Sequence, residues 1–464
     1  MSTRLALSLV CLSFLFHSLT ASAAPPNFIV IFCDDLGYGD IGCFGSEKHR
    51  TPNIDRLAAE GMKLTSFYST CGVCTPSRSS LMTGCYPRRV NMHESARGEW
   101  VLFPLARKGL NPEETTVAEV LKSQGYATAC IGKWHLGDQK KFLPTEQGFD
   151  QYFGIPYSND MGSKQRKQNP PLPLLVDKTV IEAPVDQNTI TKRYTEQAVK
   201  FITDNKDNPF FIYLPHTMPH NPVHSSEQFQ GKSANGDYGD CVEEIDWSTG
   251  EILKTLARLN LDEQTLVLFT SDNGAASRWG GSNKPLSGFK GSTMEGGMRV
   301  PCAVRWPGHI AAGSEFDQIA STIDLLPTFA ELSSAESPSK SHIDGRSLAD
   351  VLQGKSTQSP HEAYYYYFRD TLQAVRSGPW KLHLPRIEKR RGNKTAQELP
   401  LRLYNLEEDI AESNNVADGH PEVVEKLLTF AEQARKQYGD KDRKGEWQRP
   451  AGLVEEAVPL VLGE

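Results

Sequence analysis

Four apolar runs that each stop abruptly at chemically capable residues restrict this fold more than anything else in the chain. The run Asn27–Cys33 ends at Asp34-Asp35-Leu36-Gly37. Residues 126–131 end at Gly132-Lys133-Trp134-His135, residues 209–214 at a proline-rich stretch carrying His216 and His220, and residues 265–270 at Ser271-Asp272-Asn273-Gly274. A run apolar at every position predicts a strand buried on both faces, and therefore a parallel sheet covered by helices on both sides. Such sheets bind ligands beyond the carboxyl ends of their strands. Each ending has a plain reading alone: Asp-Asn-Gly as a tight turn, the Asp pair as a turn and helix cap, Lys-Trp-His as a solvated rim turn, His220 as a structural histidine. Four of them on one sheet edge point to a site.

The residue types indicate what that site handles. Asp34 and Asp35 offer hard oxygen donors suited to Ca²⁺ or Mg²⁺. Lys133 and His135, two apart in extended chain, point the same way and suit an anion. Cys74 opens Cys74-Thr75-Pro76-Ser77-Arg78, where Pro76 and Ser77 suit the start of a helix. A thiol there feels the helix macrodipole and Arg78, so it is expected to be partly ionised and reactive; the ordinary alternative is a small buried cysteine. Lys290 lies among glycines between Gly288 and Gly297, which suits a loop folded over a site, although a solvated lysine is the default there.

The rest of the chain supplies scaffold. A capped helix is predicted from Thr51-Pro52 with Ile54, Leu57 and Ala58 inward, and another over residues 115–124, closed by Gly125. Val242, Ile245, Ile252, Leu253 and Leu256 form a core stripe, and Asp324-Leu325 begins the last helix of the main domain. From about residue 360 the texture changes to short strands over 364–368, 372–376, 380–384 and 401–406. They are followed by a helix over 421–437 with Val423, Val424, Leu427, Leu428 and Ala431 inward. The tyrosine run 364–367 reads as strand packing, and residues 386–394 as a solvated basic loop. Asn393-Lys394-Thr395 is a glycosylation sequon in a eukaryotic host.

Composition narrows the class. The chain has 464 residues, of which 38% are hydrophobic and 23% charged, so it reads as a soluble globular protein, and its formal net charge of -7 gives no reason to expect nucleic acid. Residues 1–23 read as a secretory signal: Arg4, an apolar stretch from Leu5 to Phe16, then Ala21-Ser22-Ala23. No other stretch is long and apolar enough to insert stably in a membrane. The expected location is secreted, periplasmic or extracellular, or a lysosomal-type lumen in a eukaryote. The 9 cysteines show neither metal-ligand spacing nor disulfide-scaffold density.

The motifs Asp34-Asp35-Leu-Gly-Tyr-Gly-Asp, Cys74-Thr-Pro-Ser-Arg78, Gly-Lys133-Trp-His135, His220, Asp272-Asn273-Gly and Lys290-Gly-Ser-Thr-Met-Glu-Gly-Gly resemble, in order, those of the type I sulfatases. Phe153-Gly-Ile-Pro-Tyr-Ser158-Asn-Asp160 resembles the branch of arylsulfatase A and the N-acetylgalactosamine-6-sulfatases. The resemblance implies an α/β fold: an alkaline-phosphatase-like sandwich with a large central mixed sheet flanked by helices, and a smaller C-terminal α+β domain with a short antiparallel sheet. The expected divisions are a catalytic domain over residues 24–360, the small domain over 361–440 and an extended tail over 441–464.

It also implies a chemistry. Cys74 would be oxidised to Cα-formylglycine (3-oxoalanine) by a formylglycine-generating maturation enzyme. Asp34, Asp35, Asp272 and Asn273 would hold one Ca²⁺ that also contacts residue 74 and the sulfate. The hydrated aldehyde would attack sulfur with Asp272 as base, and Lys290 and His220 would bind the sulfate and protonate the leaving oxygen. Lys133 and His135 would flank the diol, His135 deprotonating its second hydroxyl to expel sulfate. Arg78 would hold the diol, and Ser158 would contact the sulfate or the leaving group. Two other readings share these residues: a phosphoester or phosphonate hydrolase of the same superfamily, and a non-catalytic binder of sulfated glycans.

Overall fold

The computed structural model describes residues 25–336, 343–388 and 397–462; the signal stretch and Asn393 lie outside them. A mixed sheet contains β1 (Asn27–Cys33), β2 (Met62–Leu64), β3 (Ala127–Ile131), β4 (Gln151–Gly154), β5 (Leu174–Val176), β6 (Thr179–Glu182), β7 (Phe210–Pro215), β8 (Thr265–Ser271), β9 (Ala303–Arg305) and β10 (Ser314–Phe316). Its spatial order is β10-β2-β9-β8-β1-β7-β3-β4-β5-β6. The five central strands, β8-β1-β7-β3-β4, run parallel, so their carboxyl ends share one edge. The outer pairs β8-β9, β9-β2, β4-β5 and β5-β6 are antiparallel.

The unbroken apolar character of β1 reflects burial on both faces. Phe28, Val30 and Phe32 belong to one core, and Ile29, Ile31 and Cys33 to the other. Helices α1 (Pro52–Ala59), α2 (Cys74–Thr83), α3 (Val117–Lys122), α4 (Ile190–Asp204) and α5 (Gly236–Arg258) follow in chain order. After them come α6 (Glu295–Met298), α7 (Leu325–Leu332), α8 (Ala349–Leu352) and α9 (Pro421–Tyr438). Ile54 and Leu57 of α1, with the apolar stripes of α4 and α5, cover the Ile29 face. Leu81 of α2, with α3, α7 and α8, covers the Phe28 face. Each such aliphatic or aromatic side chain contributes roughly 1.5–3 kcal/mol by leaving water.

Four antiparallel strands, Tyr364–Phe368, Thr371–Ser377, Trp380–His383 and Arg402–Asn405, form a smaller sheet from the short strands expected there. Tyr364, Tyr366 and Tyr367 are buried in its core with Tyr68 and Tyr86, so the tyrosine run is packing.

Several local expectations need correction. Helix α3 is shorter than the predicted span because Thr116 and Glu119 close a capping box that starts it at Val117. A further short helix, α8, follows α7. On α9, Leu428 is exposed and Val423 and Val424 only half-buried, while Ala434 and Tyr438 join Leu427 and Ala431 inside. The helix is rotated so that Tyr438 packs on Tyr86, with ring centroids 4.9 Å apart. Residues 386–388 form a strand paired with Gln397–Leu399 rather than a loop. The tail does not simply extend. Gly439–Asp440 pairs with Arg443–Lys444, and Gly452–Leu453 returns to pair with Lys108–Gly109. No disulfide joins the eight described cysteines.

Candidate active site

Strand register assembles the site. Cys33 pairs with Ser271 and Phe32 with Pro215, so Asp34 and Asp272 emerge side by side at the end of β1 and β8. The Asp272 amide donates to the Cys33 carbonyl at 3.0 Å and the Lys133 amide to that of Pro215 at 2.8 Å, which ties the strand ends together. Gly132 makes this approach possible. Its φ is +139°, and a Cβ there would lie 1.9 Å from the Pro215 carbonyl oxygen.

Lys133 and His135 reach the site by a different route from the one expected. The extended chain stops at Ile131, and His135 has a left-handed φ of 60°. Asp35 is left-handed too, with φ 63°. Two non-glycine residues thus lie in this sparsely populated region beyond the strand ends, a conformation that costs of order 1 kcal/mol each and is held by the surrounding contacts.

Helix α2 begins at Cys74, two residues earlier than predicted, and every residue in it is buried despite its polar sequence. Its hydroxyls are satisfied locally: Ser79 donates to the Pro76 carbonyl at 2.7 Å, Thr83 to the Ser79 carbonyl at 2.8 Å, and Thr70 to Ser80 Oγ at 2.6 Å. The helix start does not make Cys74 a thiolate. Burial pushes its thiol up to about 12, and the charges of Asp34 and Asp272 offset the favourable ones of Lys133 and Lys290. The expectation of a partly ionised cysteine is therefore corrected: desolvation outweighs the macrodipole.

Around Cys74 the opposite charges interlock. Arg78 donates to Asp272 Oδ2 from Nε at 3.2 Å and Nη2 at 2.8 Å, and from Nη1 to the Lys133 carbonyl at 2.9 Å. Lys133 Nζ donates to Asp34 Oδ2 and, at 3.1 Å, to Ser158 Oγ. Lys290 Nζ lies 2.7 Å from Asp35 Oδ1 and 3.7 Å from Cys74 Sγ. Burial alone would raise Asp34, but Lys133, His220, Arg78 and Lys290 hold it well below the ordinary carboxylate value. Asp272 is pushed up by burial and by the charge of Asp34.

The histidines are held neutral. Burial and the neighbouring Lys133 push His135 well down, and burial and Lys290 lower His220. His135 Nε2 lies 2.9 Å from the Leu102 carbonyl, which can only accept, so Nε2 carries the proton. Its buried Nδ1 has no partner and is an acceptor.

Two buried oxygens, Asp34 Oδ1 and Asn273 Oδ1, also lack partners. With Asp35 beside them, this donor set fits a hard divalent cation. Ligand atoms of Asp34, Asp35, Cys74 and His220 lie within 4.8 Å of one another. Asp272 points one oxygen at Arg78 and the other, Oδ1, at the Asp35 amide 3.1 Å away. A cavity of about 420 Å³ opens above, lined by Cys74, His135, Ser158, His220 and Lys290. Its mouth is formed by residues that sequence reasoning missed: Trp100, Phe103, Arg166 and Arg369. Phe103 and Arg166 stack at 4.7 Å across a long sequence separation, which no local pattern announces.

The sulfatase family model matches residues 26–335, and a second, for the C-terminal part of N-sulphoglucosamine sulphohydrolase, matches residues 290–437. The chain belongs to the sulfatase family. This sulfatase is 39% identical over 451 residues to human arylsulfatase A, covering 88% of this chain and 87% of that one. It is 40% identical over 379 residues to N-acetylgalactosamine-6-sulfatase of Mus musculus, covering 78% and 72%. The crystal structure of the PsFucS1 sulfatase from Pseudoalteromonas sp. superposes with a TM-score of 0.79 at 28% identity, covering 88% of this chain and 89% of that one. The sulfatase is a sulfuric ester hydrolase with the alkaline-phosphatase-like fold of its relatives. No helix among its described residues is long and apolar enough to cross a membrane.

Proposed function

We propose that this sulfatase hydrolyses sulfate monoesters, aryl or carbohydrate, at residue 74, with one Ca²⁺ held by Asp34, Asp35, Asp272 and Asn273. The observation that carries the reading is the meeting of Lys133, Lys290, His220 and three carboxylates around Cys74, which lines one cavity with His220 and Lys290. Bound there, the cation would offset charge on the sulfate and favour an oxyanion at residue 74. The buried, protonated thiol of Cys74 is a poor nucleophile as it stands, which suits conversion to formylglycine, whose hydrate offers one hydroxyl to attack sulfur and a second whose deprotonation re-forms the aldehyde and expels the sulfate.

The chain's own groups then have distinct tasks. Lys133 and Lys290 bring two ammonium groups to the sulfate oxygens, where charge accumulates as the ester bond breaks. Neutral His135, with its free Nδ1, is suited to take a proton from residue 74. Lys290 is suited to protonate the leaving oxygen, and neutral His220, 3.7 Å from Asp35 and beside Lys290, to hydrogen-bond it. Arg78 orients Asp272 for proton abstraction, and Ser158 keeps Lys133 in place. Export fits the leader-like residues 1–23.

Tandem mass spectrometry of the tryptic peptide spanning residues 64–78, from protein made in its native host, tests the reading. A formyl group at residue 74 with Cys71 unmodified is expected. Unmodified cysteine at 74 throughout would overturn the mechanism in favour of a binder of sulfated glycans. Turnover of aryl sulfate against aryl phosphonate separates the hydrolase readings.

A further inference from the structure

A second basin of about 900 Å³ adjoins the reaction cavity, with Trp100 and Arg369 lining both. Its other walls come from the small sheet and its neighbours and carry Arg386, Arg402, Lys441 and the side chain of Ile387, which is 68% exposed. Among the described residues Asp370 is the one carboxylate on its lining, and it takes the Thr371 hydroxyl at 2.8 Å. Arg369, Arg402 and Lys441 form no ion pair with a carboxylate among the described residues. In a chain of net charge -7, Arg369, Arg402 and Lys441 gathered in one concavity create a local positive field.

The shared wall is built to last. The Arg369 guanidinium lies 5.8 Å over the Trp100 ring, and Phe368 meets the same ring edge-on at 5.5 Å. On the other side Gly291, with φ +80°, leaves room for that ring, since a Cβ would come within 2.9 Å of it. Trp100 is thus held as a half-exposed platform between the two cavities, with Ile387 as a second apolar surface in the basin. Apolar faces beside cations match a sugar ring that bears anionic groups.

We propose that this basin is a binding site for the second anionic group of a sulfated oligosaccharide. One sulfate enters the reaction cavity while a neighbouring sulfate or carboxylate is held by Arg402 and Lys441, and a sugar ring crosses Trp100. The inference rests on the sulfatase reading for what occupies the first cavity. It makes the preferred substrate a chain with at least two anionic groups rather than a lone sulfated monomer.

The test compares the full chain with its R402A/K441A variant on an aryl sulfate and on a multiply sulfated tetrasaccharide. The variant is expected to raise KM for the tetrasaccharide about tenfold with kcat little changed, weaken its salt dependence, and leave aryl sulfate turnover unaltered. Restoration of KM by R402K/K441R would separate charge from folding. Equal losses on both substrates, or none on either, would overturn the proposal. Direct binding of a fluorescent multiply sulfated tetrasaccharide to the Cys74→Ala protein is read independently of turnover. Weakened binding in the R402A/K441A background would uphold the basin even if no sulfate ester were cleaved; no binding to the parent would refute it.

Discussion

The ammonium of Lys381 sits 2.9 Å from a carboxylate oxygen of Glu295, and both side chains are wholly inaccessible. Lys381 belongs to the small sheet; Glu295 opens α6 in the loop that carries Lys290. The same ammonium is 2.9 Å from Glu412, whose other oxygen accepts the Glu295 amide at 2.7 Å, and Tyr68 and Tyr366 donate to Glu295. Burial alone would raise Glu295, yet Lys381, Arg299 and Arg376 hold it well below the ordinary carboxylate value.

Removing Lys381 should therefore be severe. Lys381→Met leaves two buried carboxylates without their shared cation and is expected to cost about 3–5 kcal/mol in urea unfolding. Because the Glu295 carboxyl is depressed in the fold, its stabilisation is present above the usual carboxylate range and is lost as pH falls toward the folded value. The wild type should accordingly lose stability in acid more steeply than Glu295→Gln/Lys381→Met. Parallel acid profiles would contradict this pairing.

His361 supplies the opposite slope. Burial would lower it, but Asp324, 2.7 Å away, raises it above the ordinary imidazole value. A raised folded value stabilises fully below the unfolded one and fades as pH climbs through the folded one. The melting temperature of His361→Asn should trail the wild type most in mild acid and converge with it in alkali. A constant gap across that range would mean that the ion pair contributes nothing.

Arg78→Lys keeps the charge but loses the fork that grips Asp272 while also reaching the Lys133 carbonyl. A fall in kcat/KM of about a hundredfold is expected, since an ammonium cannot make these contacts at once. Steady-state kinetics with an aryl sulfate decides it; a variant within twofold of wild type would show that the fork is dispensable.

Calcium should stabilise the fold. A ligand at 100 times its dissociation constant adds about 2.7 kcal/mol, so added Ca²⁺ should raise the melting temperature and a chelator reverse it. Asn273→Ala and Asp34→Ala should each abolish the shift. If both variants respond like the wild type, the cation binds elsewhere.

What the sequence disclosed follows from the range of the forces involved. The parallel core was legible because two-sided burial leaves an unbroken apolar run, as in β1, and Asp34, Asp35, Lys133 and Asp272 because they sit one or two positions beyond such runs. The state of Cys74 was not legible: its helix position argued for a thiolate, while the burial that decides the matter comes from residues on other elements. Nor was the left-handed turn at His135, whose amide is held by the carbonyl of Pro156 on a separate segment. Trp100, Arg369 and the Glu295–Lys381 pair were invisible for the same reason. Their partners are distant in the chain, and no local periodicity marks them.

The position of β1 has a bearing on time as well as on shape. Its neighbours in the sheet are β7 and β8, so the first strand made lacks one of its two partners until the chain has been synthesised through Ser271. At ~5–20 residues per second, the ribosome takes on the order of 10–40 s to go from residue 74 to that point. Throughout that interval Cys74, only 2% exposed once folding is complete, belongs to an unfinished chain. Any enzyme that must reach its sulfur has a deadline set by the order of the strands.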